Sequence, residues 1–76
     1  MKYSMDDLFG FMEAEKTVRV TDTDGQVYTG YCWAYGNIQN QEEYGVDEAS
    51  LEIGPQGKGP HVCLYASEIE KVEFMD

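Results

Sequence analysis

The sequence predicts a mainly β domain: a short N-terminal helix followed by a small five-stranded antiparallel barrel. Three observations carry that expectation. Apolar residues in "SMDDLFGFMEAEK" recur at helical spacing, and from Thr17 onward the period changes to two. The alternating segments are also short and separated by glycine-, proline- and aspartate-bearing turns. With 76 residues the chain makes one domain, 1–76, with the helix over about 4–15 and the barrel over about 17–75. A chain this short buries only about 60–65% of the surface its unfolded form exposes, so self-association would add stability.

The helix begins at Ser4, whose hydroxyl can cap it, with Asp7 three residues on to complete a capping box. Asp6 and Asp7 also favour the positive end of the helix dipole. Met5, Leu8, Phe9 and Met12 form one apolar stripe. Gly10 inside it costs about 1 kcal/mol relative to alanine. So short a helix is not stable alone and must lay its stripe on a sheet.

In "TVRVT" Val18 and Val20 point inward against Thr17, Arg19 and Thr21. The next stretch, "VRVTDTDGQVYTG", resembles both a calcium loop and a tight turn. Placing Gly25 at the sixth position of an EF-hand puts Val20 first and Tyr31 twelfth, where carboxylates are required. The calcium reading fails, leaving Asp22-Thr23-Asp24-Gly25 as a turn between strands. "QVYTGYCWAYG" is a longer strand with Val27, Thr29, Tyr31, Trp33 and Tyr35 on one face. Tyr28, Gly30, Cys32 and Ala34 take the other, and Gly30 marks a bend. Aromatics alternating on a central strand read as core packing, with Tyr35 spilling outside because so small a domain cannot bury all of them.

"NIQNQEEYG" reads as a polar loop or the frayed ends of a hairpin. "VDEASLEIG" is a third strand with Ala49, Leu51 and Ile53 inward, and "GPQGKGP" is a loop tipped by an exposed Lys58. "HVCLY" is the fourth strand, "ASE" a tight turn, and "IEKVEFMD" the fifth. Along that fifth strand Ile69, Val72 and Phe74 do not alternate strictly, so its register is open.

Helix, V-x-V, a turn ending at Gly25, Gly30 five residues later, then "DEASLEI" and "YASEIEKVEF" together resemble an SH3-like small barrel, and within that class the Sm-like (LSm) fold. The resemblance covers about residues 4–75. It implies ring assembly in which the fourth strand of one subunit pairs with the fifth of the next, here a homo-oligomer through about 61–65 and 69–74. It also implies binding of uridine- or adenine-rich RNA through two loops. Asp47 matches the aspartate of the first loop, but Ser50 stands where an asparagine is expected and the spacing is one residue short. At the second, Ala66-Ser67-Glu68 has no arginine and adds a negative charge.

Charge points the same way. Fifteen acidic residues against five basic ones give a net charge of −10, a poor track for phosphates. RNA binding is therefore the alternative reading and DNA binding is not expected, whereas a basic protein or peptide suits the field. An acidic, aromatic surface carrying Trp33, Tyr35, Asn37, Tyr44 and Asp47 is the candidate partner-binding site, by surface recognition or as an SH3-type peptide groove. No catalytic residue is assigned: His61 is the single histidine and no nucleophile motif accompanies it. The acids of "QEEYGVDE" read as a solvated loop. Cys32 and Cys63 read as free, buried thiols, and with His61 they offer too few ligands for a structural zinc, so no metal or cofactor is expected. Met1–Phe11 does not resemble a signal peptide and no apolar run approaches the ~20 residues that span a bilayer, so a cytoplasmic protein without membrane contact is expected. The chain thus reads as a non-enzymatic assembly or protein-binding module.

Overall fold

The computed structural model describes residues 2–75. Met1 and Asp76, which complete the span 1–76 and the segment "IEKVEFMD", lie outside the described residues. Helix α1 (Met5–Glu13) is followed by strands β1 (Val18–Asp22) and β2 (Val27–Tyr35), then a second helix, α2 (Asn37–Tyr44). Strands β3 (Ser50–Gly54) and β4 (Val62–Tyr65), a 3-10 turn (Ala66–Glu68) and strand β5 (Ile69–Phe74) complete the chain. The strands form one five-stranded antiparallel sheet in the order β4-β3-β2-β1-β5. Among the described residues no ladder joins β4 to β5, so the sheet is open where the sequence suggested a barrel.

Helix α1 starts as its sequence dictates. The Ser4 hydroxyl accepts the Asp7 N–H, and the Asp7 carboxylate accepts the Ser4 N–H. It ends two residues earlier than the spacing suggested, because Glu15 turns into left-handed backbone at φ 54°. Leu8 is fully buried; Phe9, Phe11 and Met12 pack around the core, while Met5 is 42% exposed. The stripe is thus rotated toward Phe11, which stacks edge-on between Tyr3 and Phe74. The Tyr3 hydroxyl accepts the Val72 N–H at 3.0 Å and so occupies one outward amide of the β5 edge.

The β1–β2 turn is built by Asp22. Its carboxylate accepts the N–H groups of Asp24 and Gln26, each at 2.9 Å, while Gly25 donates to the Asp22 carbonyl and takes φ 86°. These oxygens are occupied by the chain's own amides, which is the chemistry of a turn. The irregular fifth strand also resolves. Thr21 pairs with Lys71 but Asp22 pairs with Ile69, so Glu70 is the extra residue of a bulge. The bulge lets Ile69 and Val72 both face the core despite their odd spacing.

The bend in β2 falls at Gly30, as the sequence suggested. Val27–Gly30 pairs with β1 and Tyr31–Tyr35 with β3, so the strand changes partner at that residue. Gly30 has φ 157°, and a Cβ there would lie 2.6 Å from the Gly54 carbonyl oxygen. Backbone approaches this close to backbone only because a side chain is missing. The core is Leu8, Val18, Val20, Cys32, Ala34, Ala49, Leu51, Ile53, Leu64, Ala66 and Ile69. The core face of β2 is therefore Cys32 and Ala34. Tyr31, Trp33 and Tyr35 lie on the opposite, outward face, half-buried. This corrects the expectation that the aromatic face packs the core. α1 already fills the space above Cys32 and Ala34, and Met12 Sδ accepts the Ala34 N–H at 3.3 Å.

The polar stretch expected as loop is helix α2. Gly36 begins it in extended backbone, and Gly45 ends it in left-handed backbone at φ 72°. The amides of Gly45 and Val46 return to the carbonyls of Gln41 and Asn40, closing the last turn. No apolar stripe announces this helix: Ile38 is 66% exposed, and the buried residue is Asn40.

The Gly30 approach sets a sharp contrast between two glycines. Gly30→Ala is expected to cost about 2 kcal/mol or more, from overpacking against Gly54 and from backbone strain. Gly10→Ala, with open space around its Cβ, should gain up to about 1 kcal/mol. Urea denaturation of both variants, at unchanged slope, measures the two effects.

Candidate functional site

The outward face of β2–β4 carries a cleft of about 400 Å³. Its position follows from register. Tyr35 pairs with Ser50, and Ser50 with Tyr65, so two tyrosines flank one small residue in a row across three strands. In the next row Trp33, Glu52 and Cys63 are aligned in the same way. The low side chains of Ser50 and Cys63 leave a trough between aromatic flanks. Helix α2 forms its wall with Gln39, Asn40, Glu43 and Tyr44.

That wall is held by polar contacts. Asn40 is 3% exposed and donates from Nδ2 to the Glu48 carbonyl oxygen at 2.7 Å and to Ser50 Oγ at 3.0 Å. Ser50 itself is fully buried beneath it. Among the described residues every buried side-chain nitrogen and oxygen has a partner, so this docking leaves nothing unsatisfied. A second clasp lies at the helix start, where Asn37 Nδ2 donates to the Asp47 carboxylate at 2.8 Å. Glu48 accepts the Ser67 N–H, and Ala66 donates to the Ala49 carbonyl, tying the 3-10 turn to the loop before β3.

The five residues singled out from the sequence are divided by the fold. Tyr35 and Tyr44 line the cleft together. Asn37 and Asp47 pair with each other, which spends their polar groups on positioning α2. Trp33 faces outward beside a second hollow of about 300 Å³, bounded by Met12, Glu15, Tyr31 and Gln56, and packs edge-on against His61 with ring centroids 5.3 Å apart. Asn40, Ser50, Glu43, Glu52 and Cys63 were not among the sequence candidates. The helix-forming run "NIQNQEEY" before Gly45 was the signal that could have found the first and third of these. Cys63 is exposed, not buried as expected, because it shares the outward face with Tyr65; Cys32 is buried, and both are free thiols. Among the described residues no three His, Cys, Asp or Glu side chains converge as a metal would require, and no helix is long and apolar enough to cross a membrane.

The cleft is electronegative. Burial, and after it the Glu52 charge, raises the Tyr35 phenol above its ordinary value, while the Glu43 charge, with burial second, raises Tyr44. Among the described residues the three ion pairs, Lys2–Glu70, Arg19–Glu73 and Lys71–Glu73, all lie elsewhere, and no lysine or arginine lines the cleft.

Two predictions follow from this geometry. Asn40→Asp replaces two donations by a carboxylate facing a carbonyl and should destabilise the fold by about 1–3 kcal/mol, read by thermal denaturation. Ser50→Ala should cost less, because Asn40 keeps its bond to Glu48. Raised phenols also set a sign at alkaline pH. Above about pH 10 the unfolded chain releases tyrosine protons that the folded chain keeps, so stability falls as pH rises through the raised folded values. Urea denaturation at about pH 9 and about pH 11 measures this loss, and a Tyr35→Phe, Tyr44→Phe double variant should lose less.

Comparison with known proteins returned no matching family model, no significantly similar curated protein and no significantly similar solved structure.

Proposed function

We propose that this chain is a non-enzymatic binding and assembly module of Sm-like or SH3-like type, cytoplasmic, with a basic protein as its partner. The observation that carries the reading is the outward turn of the β2–β4 aromatics beside α2. Rings on the solvent side of a sheet, next to carboxylates without cations, supply the contact area and field that protein recognition uses. The strand order supports the assembly half. β4 is an edge strand, 36% exposed at Val62, with unpaired backbone groups available to a second chain. One amide on each edge strand is already occupied, Val72 N–H by the Tyr3 hydroxyl and Tyr65 N–H by the Glu68 carboxylate, which leaves the remainder of both strands for a β4–β5 contact between copies.

RNA binding is disfavoured by the disposition of four of the five cations, the fifth, Lys58, lying in the exposed loop between β3 and β4. Lys2, Arg19 and Lys71 are engaged with glutamates, and Lys16 lies over the Phe74 ring, 5.5 Å from its centre. Asp47 is engaged by Asn37, and Ser50 lies buried under Asn40.

Sedimentation velocity over a wide concentration range tests the assembly. The expected result is a species larger than a monomer, converted by Val62→Lys to a monomer that still unfolds cooperatively, at a lower melting temperature. A strict monomer at high concentration contradicts it. Retardation of uridine- or adenine-rich RNA at low salt would favour the RNA reading over the basic partner.

A further inference from the structure

We propose that the cleft between α2 and the outward face of β2–β4 is a receptor site for the cationic side chain, lysine or arginine, of a basic peptide. This rests on the binding-module reading and names the chemistry of its occupant.

Four observations converge on that chemistry. The first is shape: Ser50 sits between Tyr35 and Tyr65 in one cross-strand row, the small Cys63 lies in the next, and Tyr44 of α2 lines the same cleft of about 400 Å³. The second is the lining. Three tyrosine rings offer the negative faces that attract an ammonium or guanidinium group. The third is charge: Glu43 and Glu52 border the same trough, and among the described residues neither forms an ion pair within the chain. The Glu43 charge is the main cause that raises the Tyr44 phenol, and the Glu52 charge comes second to burial in raising Tyr35. The fourth is rigidity, since the wall is fixed by Asn40 on Glu48 and Ser50, so little ordering remains to be done on binding. A neutral ligand would leave both carboxylates without a counter-charge, and an anion would be repelled. The net charge of −10 adds attraction at a distance and hastens encounter with a basic partner.

The experiment is a fluorescence-anisotropy titration of the full chain with a labelled Gly-Lys-Ser repeat peptide, its arginine counterpart and its acetyl-lysine counterpart. The cationic peptides are expected to bind and the acetylated one to bind at least about tenfold more weakly. Tyr44→Ala, at a ring 67% exposed and therefore safe for folding, should weaken binding about tenfold, while Tyr44→Phe should preserve it. Glu52→Gln should weaken binding more than Glu13→Gln, which removes the same charge from the far end of α1. Binding of the cationic peptides with equal losses in Glu52→Gln and Glu13→Gln, or with no loss in Tyr44→Ala, overturns the cleft assignment and leaves the module reading in place. Equal affinity for the acetylated peptide also overturns it. Failure of every cationic peptide to bind at low salt overturns the basic-partner reading together with the cleft.

Discussion

The approach of Gly30 to the Gly54 carbonyl governs the rest of the molecule. Where the two backbones come that close, Gly30 can carry no side chain, and at that residue β2 hands its pairing from β1 to β3. The bend sends the small side of β2, Cys32 and Ala34, under α1, and the large side outward. Parity does the rest, because successive residues of one strand point to opposite faces. Once Ala34 is in, Trp33 and Tyr35 are out. A domain with few large residues to bury has placed three aromatics of one strand outside its core, each only partly buried. That arrangement forgoes hydrophobic stabilisation and gains a recognition surface.

Helix α2 is the complement of that choice. It docks through amide and hydroxyl groups, so its stability depends on the directional bonds of Asn40 and Asn37 more than on apolar burial. A hydrogen-bonded seat fixes orientation tightly, because an unsatisfied buried amide would cost more than the bond contributes. The same seat keeps Tyr44 and Glu43 on the rim of the trough, where an apolar helix face would have filled it. Among the described residues the glutamates there have no cation because the chain carries so few, and Lys2, Arg19 and Lys71 are engaged by Glu70 and Glu73 of β5. Acidity that reads in the composition as general solubility becomes local in the fold.

Much of the fold was legible in the sequence. The capping box at Ser4, the inward Val18 and Val20, the Asp22–Gly25 turn and the inward Ala49, Leu51 and Ile53 follow from period and turn chemistry, and each is present. Strand β5 could be located but not registered, because the bulge at Glu70 breaks the alternation that sets register. The face of β2 was misread for a physical reason. Hydrophobicity favoured the aromatic side as core, whereas the backbone approach at Gly30 and the volume of α1 require the small side. Helix α2 was missed because its buried residue is polar and its apolar one exposed. Of the candidate site, Tyr35 and Tyr44 were legible as aromatics near an acidic stretch. Ser50, Glu52 and Cys63 were not, since only cross-strand register brings them together.

In this fold β2 turns its aromatic side away from the core, with Tyr35 set against α2. A nuclear Overhauser spectrum of the folded chain tests it most directly. Expected are cross-peaks from the Tyr35 ring and from the Asn40 side-chain amide to the Ser50 methylene, and from Leu8 methyls to the core around Cys32 and Ala34. Cross-peaks from the Trp33 and Tyr35 rings to Leu8 methyls, with Asn40 silent toward Ser50, would contradict it.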